Sequence, residues 1–405
     1  MKKYYLAILF LYTSTLLVQA QNNNYTPIIL GNLPQELNES SGLLYYNGAL
    51  WSINDGGNEA TLYKIDTTAP YTILQTFVLE NTNNTDWEGL AQDEHSFYIG
   101  DFGNNAGNRQ DLRILKLDKN QINTSINQTD TIRNIAIINF SFSDQVDFNL
   151  TTHEHNFDCE AFIYYQDSIY IFSKNWVDKK TRIYHLPTQA GNYTAILKDS
   201  FNTQFAVTDA SIDSTNKNLI LIGYNGSNGN CFAYTFRNFQ NRDFFSGNNQ
   251  RLNLPHLITS SQIEGVTFFN AYSGWISGEN FNRGPINIPA TLQWFDLSEY
   301  FQNAINDSTV HTVRPRQEKE IFQENLSWYP NPISKTFKID FSFLEKGIWH
   351  FDYFAINGIL LAKQNILVSD NIIELNLPDN IIEKGFYLLQ VCNTIYKFNL
   401  KLYKE

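Results

Sequence analysis

One block of sequence recurs five times, and it constrains the fold more than any other feature. Its clearest copy is DWEGLAQDEHSFYIGDFGNN, residues 86–105. The others begin SSGLLYYNGALWSINDGGN at Ser40, DCEAFIYYQDSIYIFSKNW at Asp158, TDASIDSTNKNLILIGYNG at Thr208 and QIEGVTFFNAYSGWISGEN at Gln262. Each runs from an acid or hydroxyl through a small and an apolar residue to a turn, a hydrophobic strand and a loop rich in Asn or Gly. A third strand follows each loop: LYKID at Leu62, RILKLD at Arg113, RIYHLP at Arg182, FAYTF at Phe232 and LQWFDL at Leu292. A fourth apolar stretch usually comes next, as in YTILQTFVL from Tyr71 or NIAIINFSF from Asn134. Four short antiparallel strands per repeat make a propeller blade.

With Ser41, Glu88, Glu160, Asp209 and Glu264 taken as equivalent, successive copies lie 47, 72, 49 and 55 residues apart. Steps of about 40–50 residues suit propeller blades. Five blades are therefore expected, and the long second step leaves room for a degenerate sixth. YTPIILGNL at Tyr25 reads as a lone strand that completes the last blade and removes the exposed edges. The fold class is all-β, in line with 30 Phe, 23 Tyr and a single Met. Three cysteines at wide spacings, Cys159, Cys231 and Cys392, form neither a disulfide framework nor a zinc signature.

Residues 1–20 read as a secretory signal peptide: Lys2 and Lys3, an apolar run to Val18, then Val18-Gln19-Ala20. No later stretch approaches the roughly 20 apolar residues of a spanning helix. The propeller is assigned to 21–302, and 303–325, polar and charged with Pro315 inside it, reads as a linker. Alternating strands return in 326–405, as in TFKIDFSF at Thr336 and WHFDYFA at Trp349, and predict a small β-sandwich.

That tail carries a resemblance. WYPNP (328–332), FDYFAINGILL (351–361), KGFYLLQV (384–391) and the Lys-bearing last strand resemble the type A C-terminal sorting domain of type IX secretion substrates. The resemblance implies export by the signal peptide and then across the outer membrane of a Bacteroidetes-type bacterium. The type IX machinery is the implied partner, and a secreted or cell-surface location the implied destination.

In a propeller the first strand of each blade lines the channel, and antiparallel pairing sets its start beside the end of the second strand. Glu88 is then expected to share a face with Asp101 and Asn104, Glu160 with Lys174 and Asn175, Asp209 with Asn225, and Glu264 with Glu279 and Asn280. Ser41 takes the acid's place, with Asn54 and Asp55 opposite. Asp86 and Asp158 lie two residues ahead of Glu88 and Glu160. The candidate ligand- or cation-binding residues are thus Asp55, Asp86, Glu88, Asp101, Asp158, Glu160, Asp209, Glu264 and Glu279, with Glu88, Glu160, Asp209 and Glu264 as expected metal ligands.

Carboxylates about 6 Å apart repel by roughly 3 kcal/mol per pair at an effective dielectric near 20. Bound cations, neighbouring bases or raised pKa values must relieve this. Lys174, Arg109, Arg182 and Arg283 are the candidate bases; calcium is the cation that carboxylate and Asn oxygens suit. An acid repeated in every blade also suits an inter-blade tie that accepts backbone N–H bonds, and repetition favours that role over catalysis. His153 and His155 project to one side if extended and form a candidate metal pair, against the plainer reading of a loop before a strand. Trp87 and Trp176 suit packing or stacking on a sugar. Cys159, flanked by acids, is expected to be inert.

A net charge of −12 disfavours nucleic acid as a partner. NTDWEGLA, DCEAF, QIEGV and GDFGNN resemble secreted phytase-like and SdiA-regulated propellers. In phytase-like propellers acids at the channel mouth hold calcium, a role the resemblance passes to Glu88, Glu160, Asp209 and Glu264. Two functions follow: a module binding a glycan, peptide or small molecule at an acid-lined mouth through calcium, or a calcium-assisted phosphoesterase or esterase. Whether the chain is an enzyme stays open, because a propeller hosts either.

Overall fold

The computed structural model describes residues 23–122, 128–298, 300, 328–329, 333–341, 347–355, 360–378, 381, 384–392 and 397–404. The expected signal peptide and the 303–325 linker lie outside the described residues. Two compact units divide the chain between 309 and 310.

The first unit is a five-bladed propeller. Its opening strand β1 (Ile28–Asn32) pairs with the end of the ring rather than with its successor in sequence. Blade 1 holds β2 (Ser40–Tyr46), β3 (Ala49–Asn54), β4 (Thr61–Ile65) and β5 (Ile73–Leu79). Blade 2 holds β6 (Trp87–Gln92), β7 (Ser96–Asp101) and β8 (Arg113–Asp118); β9 (Thr129–Ile132) then adds in parallel to the rim of blade 1, and β10 (Ile135–Phe142) completes blade 2. Blade 3 holds β11 (Asp158–Tyr165), β12 (Ser168–Lys174), β13 (Thr181–Pro187) and β14 (Gly191–Phe201). Blade 4 holds β15 (Ala206–Asp213), β16 (Asn218–Tyr224), β17 (Cys231–Arg237) and β18 (Asn248–Leu254). Blade 5 holds β19 (Gln262–Phe268) and β20 (Ser273–Glu279), a rim hairpin β21 (Phe281–Arg283) and β22 (Ile286–Ile288), then β23 (Thr291–Asp296), which pairs with β1.

The inner strands β2, β6, β11, β15 and β19 pack in a closed cycle, each against the next. The long step between the second and third copies is filled by β9, β10 and the loop that follows, and the described residues contain five blades and no sixth. At the rim, β10 and β14 pair in parallel and join blades 2 and 3 into one eight-stranded sheet.

Burial explains the local sequences. The second strands of the blades lie between neighbouring blades and are buried on both faces, so β3 (ALWSIN), β7 (SFYIGD) and β12 (SIYIFSK) are buried along their whole length. A rim strand has only one covered face, and β10 (IAIINFSF) alternates over its second half. The turn from β2 to β3 is Asn47-Gly48, both at positive φ (49° and 75°), the geometry that suits the strand twist of a tight hairpin.

The second unit is a β-sandwich, with seven strands among the described residues. One sheet has β24 (Trp328–Tyr329), β25 (Thr336–Asp340) and β28 (Ile372–Asn376); the other orders β27 (Leu360–Val368), β26 (Gly347–Ala355), β29 (Gly385–Cys392) and β30 (Lys397–Lys404). Phe337, Ile339, Phe341, Trp349, Phe351 and Tyr353 lie in the shared core.

Candidate functional site

Each inner strand carries a β-bulge near its start. The register skips one residue in every blade: between Ser41 and Leu43, Trp87 and Gly89, Cys159 and Ala161, Val207 and Asp209, Ile263 and Gly265. The extra residues are Gly42, Glu88, Glu160, Thr208 and Glu264. A bulge leaves its extra residue unpaired and re-aims the side chain, so these five form one ring at one mouth of the channel. The alignment on Ser41 and Asp209 is therefore offset by one residue, in opposite directions. Ser41 and Asp209 fall on the neighbouring positions because side chains alternate between faces along a strand.

A second ring follows from the same registers. Asn54, Lys174, Tyr224 and Glu279 end the second strands of their blades opposite Ser40, Asp158, Ala206 and Gln262, and Phe102 takes the matching place just past β7. Two rings of five thus contribute four carboxylates, one ammonium and one phenol.

Glu88, Glu160 and Glu264 are each at least nine-tenths buried. Burial raises the pKa of Glu88 and Glu160 well above the ordinary glutamate value, with repulsion from Glu160, Asp55 and Asp86 adding to it at Glu88. Glu264 and Glu279 are pushed up to about 8, first by burial. Lys174 opposes the trend throughout. Burial alone would pull its ammonium down, but Glu160, Tyr224, Glu264 and Asp158 outweigh that and hold it well above its ordinary value. Its Nζ donates to Glu160 Oε1 and lies 5.0 Å from the Trp176 ring and 5.5 Å from that of Tyr224. Gln262 bridges the remaining pair, donating to Glu264 Oε1 at 2.7 Å and to Glu279.

Lys174 satisfies one side of the mouth. On the other, Asp55, Asp86 and Glu88 bring one carboxylate oxygen each within 4.8 Å of one another. Two glycines keep this cradle open: a Cβ on Gly56 would overlap Asp86, and one on Gly103 would overlap both Glu88 and Asp86. Asp86 is pushed up to about 6, by burial first and then by Asp55, with Arg109 opposing. Asp55 is also raised by burial, and its carboxylate accepts from the Gly56 N–H. Among the described residues the Glu88 carboxylate, 5% exposed, has no hydrogen-bond or ion-pair partner.

The other expected site residues have protein partners. Asp101 pairs with Trp87 rather than lying opposite Glu88; it is fully buried, binds Arg109 at 3.0 Å and Arg113 at 2.8 Å, and accepts the Asp86 N–H. Asp158 clamps blade 2 to blade 3, accepting from Asn104 N–H at 2.7 Å and Trp176 Nε1 at 2.7 Å. Asp209 Oδ2 accepts from Val266 N–H in the next blade at 2.7 Å. The hydroxyls of Ser41 and Thr208 donate to the carbonyls of Glu88 and Ile263, at 2.7 and 2.8 Å, again across a blade boundary. Asp158, Asp209, Ser41 and Thr208 thus tie neighbouring blades together, whereas the side-chain carboxylates of Glu88 and Glu264 make no such tie among the described residues.

Of the four candidate bases only Lys174 enters the mouth. Arg109 binds Asp101 and Asp111, Arg182 binds Asp144, and Arg283 sits on the exposed hairpin of blade 5. His155 accepts the Phe157 N–H at Nδ1, so its Nε2 donates to the Asn105 carbonyl; His153 Nε2 meets the Asn105 side chain, and its ring lies 4.1 Å from that of Trp176. Both histidines anchor a loop. Trp87 is fully buried, and Cys159 is a buried free thiol whose pKa burial raises well above the ordinary value. Sequence reasoning missed Gly42, Gly56, Gly103 and Tyr224. The signal for Gly103 was present in the GDFGNN loop, but only the packing makes it a glycine required by two carboxylates.

Residues 327–405 match the family model of the secretion system C-terminal sorting domain. The chain thus ends in a type IX sorting domain, and the protein is exported to the cell surface or secreted. No helix among the described residues is long and apolar enough to cross a membrane. No curated protein matches the chain. Among solved structures it is similar to a chain of a mitotic checkpoint complex, at 11% identity over 63% of this chain and 62% of that one, with a TM-score of 0.28. Kuenenia stuttgartiensis hydrazine synthase is similar at 9% identity over 87% of this chain and 76% of that one, with a TM-score of 0.32. The chain therefore spans less than two thirds of the checkpoint-complex chain.

Proposed function

We propose that this exported propeller binds calcium between Asp55, Asp86 and Glu88 and uses the cation to hold a ligand, a glycan, peptide or small molecule, at the acid-lined mouth. The observation that carries this is Glu88, a carboxylate 5% exposed with no protein partner among the described residues, facing two further carboxylates. Oxygens within 4.8 Å of one another suit an ion that takes oxygen ligands at roughly 2.3–2.6 Å. Three carboxylates supply part of the six to eight oxygens calcium takes, and ligand and solvent complete the shell.

Calcium-assisted hydrolysis of a phosphoester or ester is the second reading. What favours it is asymmetry: the bulge ring holds three carboxylates, one glycine and one threonine, and a single ammonium lies on one side. There the cation would polarise the substrate and activate water.

Calcium titrated into the full-length protein, followed by calorimetry and by melting, tests the first reading. Saturable binding and a raised melting temperature are expected, both lost in Glu88→Gln and Asp86→Asn. At about 100 times the dissociation constant the stabilisation is about 2.7 kcal/mol. No calcium-dependent heat and no melting shift would overturn it. Turnover of a phosphoester or ester panel that needs calcium and Glu88 would promote the second reading.

A further inference from the structure

Blade 4 carries a cleft of about 540 Å³ on the same face of the propeller as the acid mouth. It opens where β16 ends, at Asn225, one residue after the Tyr224 that lies beside Lys174. The volume falls within the roughly 300–1,000 Å³ of small-molecule sites. Its lining differs from the rest of this acidic chain: amides dominate, Arg251 is its one charged side chain, and no carboxylate contributes.

The groups are held in place. The Arg251 guanidinium lies 4.0 Å over the Phe232 ring, which stacks in turn on Phe205 with ring centroids 5.3 Å apart. Arg251 Nη1 donates to Gln204 Oε1 at 3.0 Å, while its buried Nε–H has no partner among the described residues. An unmet buried donor costs roughly 1–3 kcal/mol. Among the described residues Gln204 spends its oxygen on Arg251 and its NH₂ has no partner, whereas Asn253 spends its NH₂ on Asn24 Oδ1 and its oxygen has none. The Asn230 side chain has no partner among the described residues.

We propose that this cleft is a saccharide-binding site. Sugar hydroxyls both donate and accept, and matching amide donors and acceptors around a flat, fixed guanidinium suit them. A divalent cation would lack carboxylates here, and a nucleic acid would lack bases. The sugar unit is neutral or carries one carboxylate to meet Arg251. The site is separate from the calcium cradle and does not depend on it.

An array printed with neutral and uronic-acid oligosaccharides, probed with the full-length protein in calcium and in EDTA, tests the proposal. Saccharide binding that persists in EDTA and falls about tenfold or more in Arg251→Ala and in Gln204→Ala is expected, as each removes polar contacts to the ligand. Gln204 is exposed, so its variant keeps the test open should Arg251→Ala fail to fold. The two arms separate a neutral from an anionic sugar. Binding on neither arm, binding unchanged in the folded variants, or binding abolished by EDTA would each overturn the assignment, the last by moving the ligand to the mouth.

Discussion

Glu88 and Glu160 hold the same bulge position in adjacent blades and meet different neighbours. Glu160 has Lys174 at the end of its partner strand, whereas the matching place beside Glu88 is Phe102, and its charge is left to Asp55 and Asp86. Removing the one cation should therefore be costly. Lys174→Met leaves Glu160 and Glu264 without their counter-charge, and a loss of about 3–5 kcal/mol is expected in urea unfolding near pH 8. The acids also set a pH dependence. Glu264 and Glu279 ionise near 4.5 when unfolded but near 8 when folded, so between those values the folded chain holds more protons than the unfolded one. Stability then falls as pH rises through that window. Melting in EDTA should drop between about pH 5 and 8, less so in the double variant Glu264→Gln/Glu279→Gln; a flat profile shared by both proteins would count against the raised values.

The bulge is the element that aims these side chains. Gly42 fills it in blade 1 at φ +65°, where a Cβ would meet the Leu90 N–H. Gly42→Ala should cost about 2 kcal/mol or more, read from denaturant midpoints, because strain and overlap add. Gly103→Ala tests the cradle without deleting an acid: its Cβ takes the space of the Glu88 and Asp86 carboxylates, so the calcium-induced melting shift should disappear while the fold persists. Thr208→Val removes one tie between blades 4 and 5, at about 1 kcal/mol. The strands and turns of each blade were legible in sequence because period-2 alternation and short Asn-Gly turns are local signals. The bulge was not, since one unpaired residue leaves no mark until the partner strand sets the register. Asp209 shows the consequence: it reads as the acid of its blade, yet Thr208 takes the bulge and Asp209 ties to Val266.

Over the whole molecule, ring closure rests on a strand from the start of the chain. β1 is the outer strand of blade 5, so deleting residues 23–34 should expose the edge of β23 and lower the melting temperature, with oligomers seen by size-exclusion chromatography. Each unit has a core of its own among the described residues: Phe337, Trp349 and Leu400 belong to a cluster of second-unit residues, and the propeller clusters are made of first-unit residues. A chain ending at residue 302 should keep the propeller's melting transition and fail to be exported, since the sorting domain is gone.

The sequence alone indicated the all-β class, a repeated blade unit in five recognisable copies with a sixth left open, a lone first strand able to close the ring, and the tail that addresses the protein outward. All of these rest on short-range patterning or on motifs contiguous in the chain. It also supplied the acids. Which of them converge was decided only by the tertiary structure, because a bulge shifts the facing of a side chain by one residue and distant blades meet at the axis. Asp55 and Glu88 lie 33 residues apart and share a cradle, while Asp101, 13 residues from Glu88, is held by two arginines. Register and closure, not composition, separate a carboxylate that binds its own protein from one left without a protein partner among the described residues.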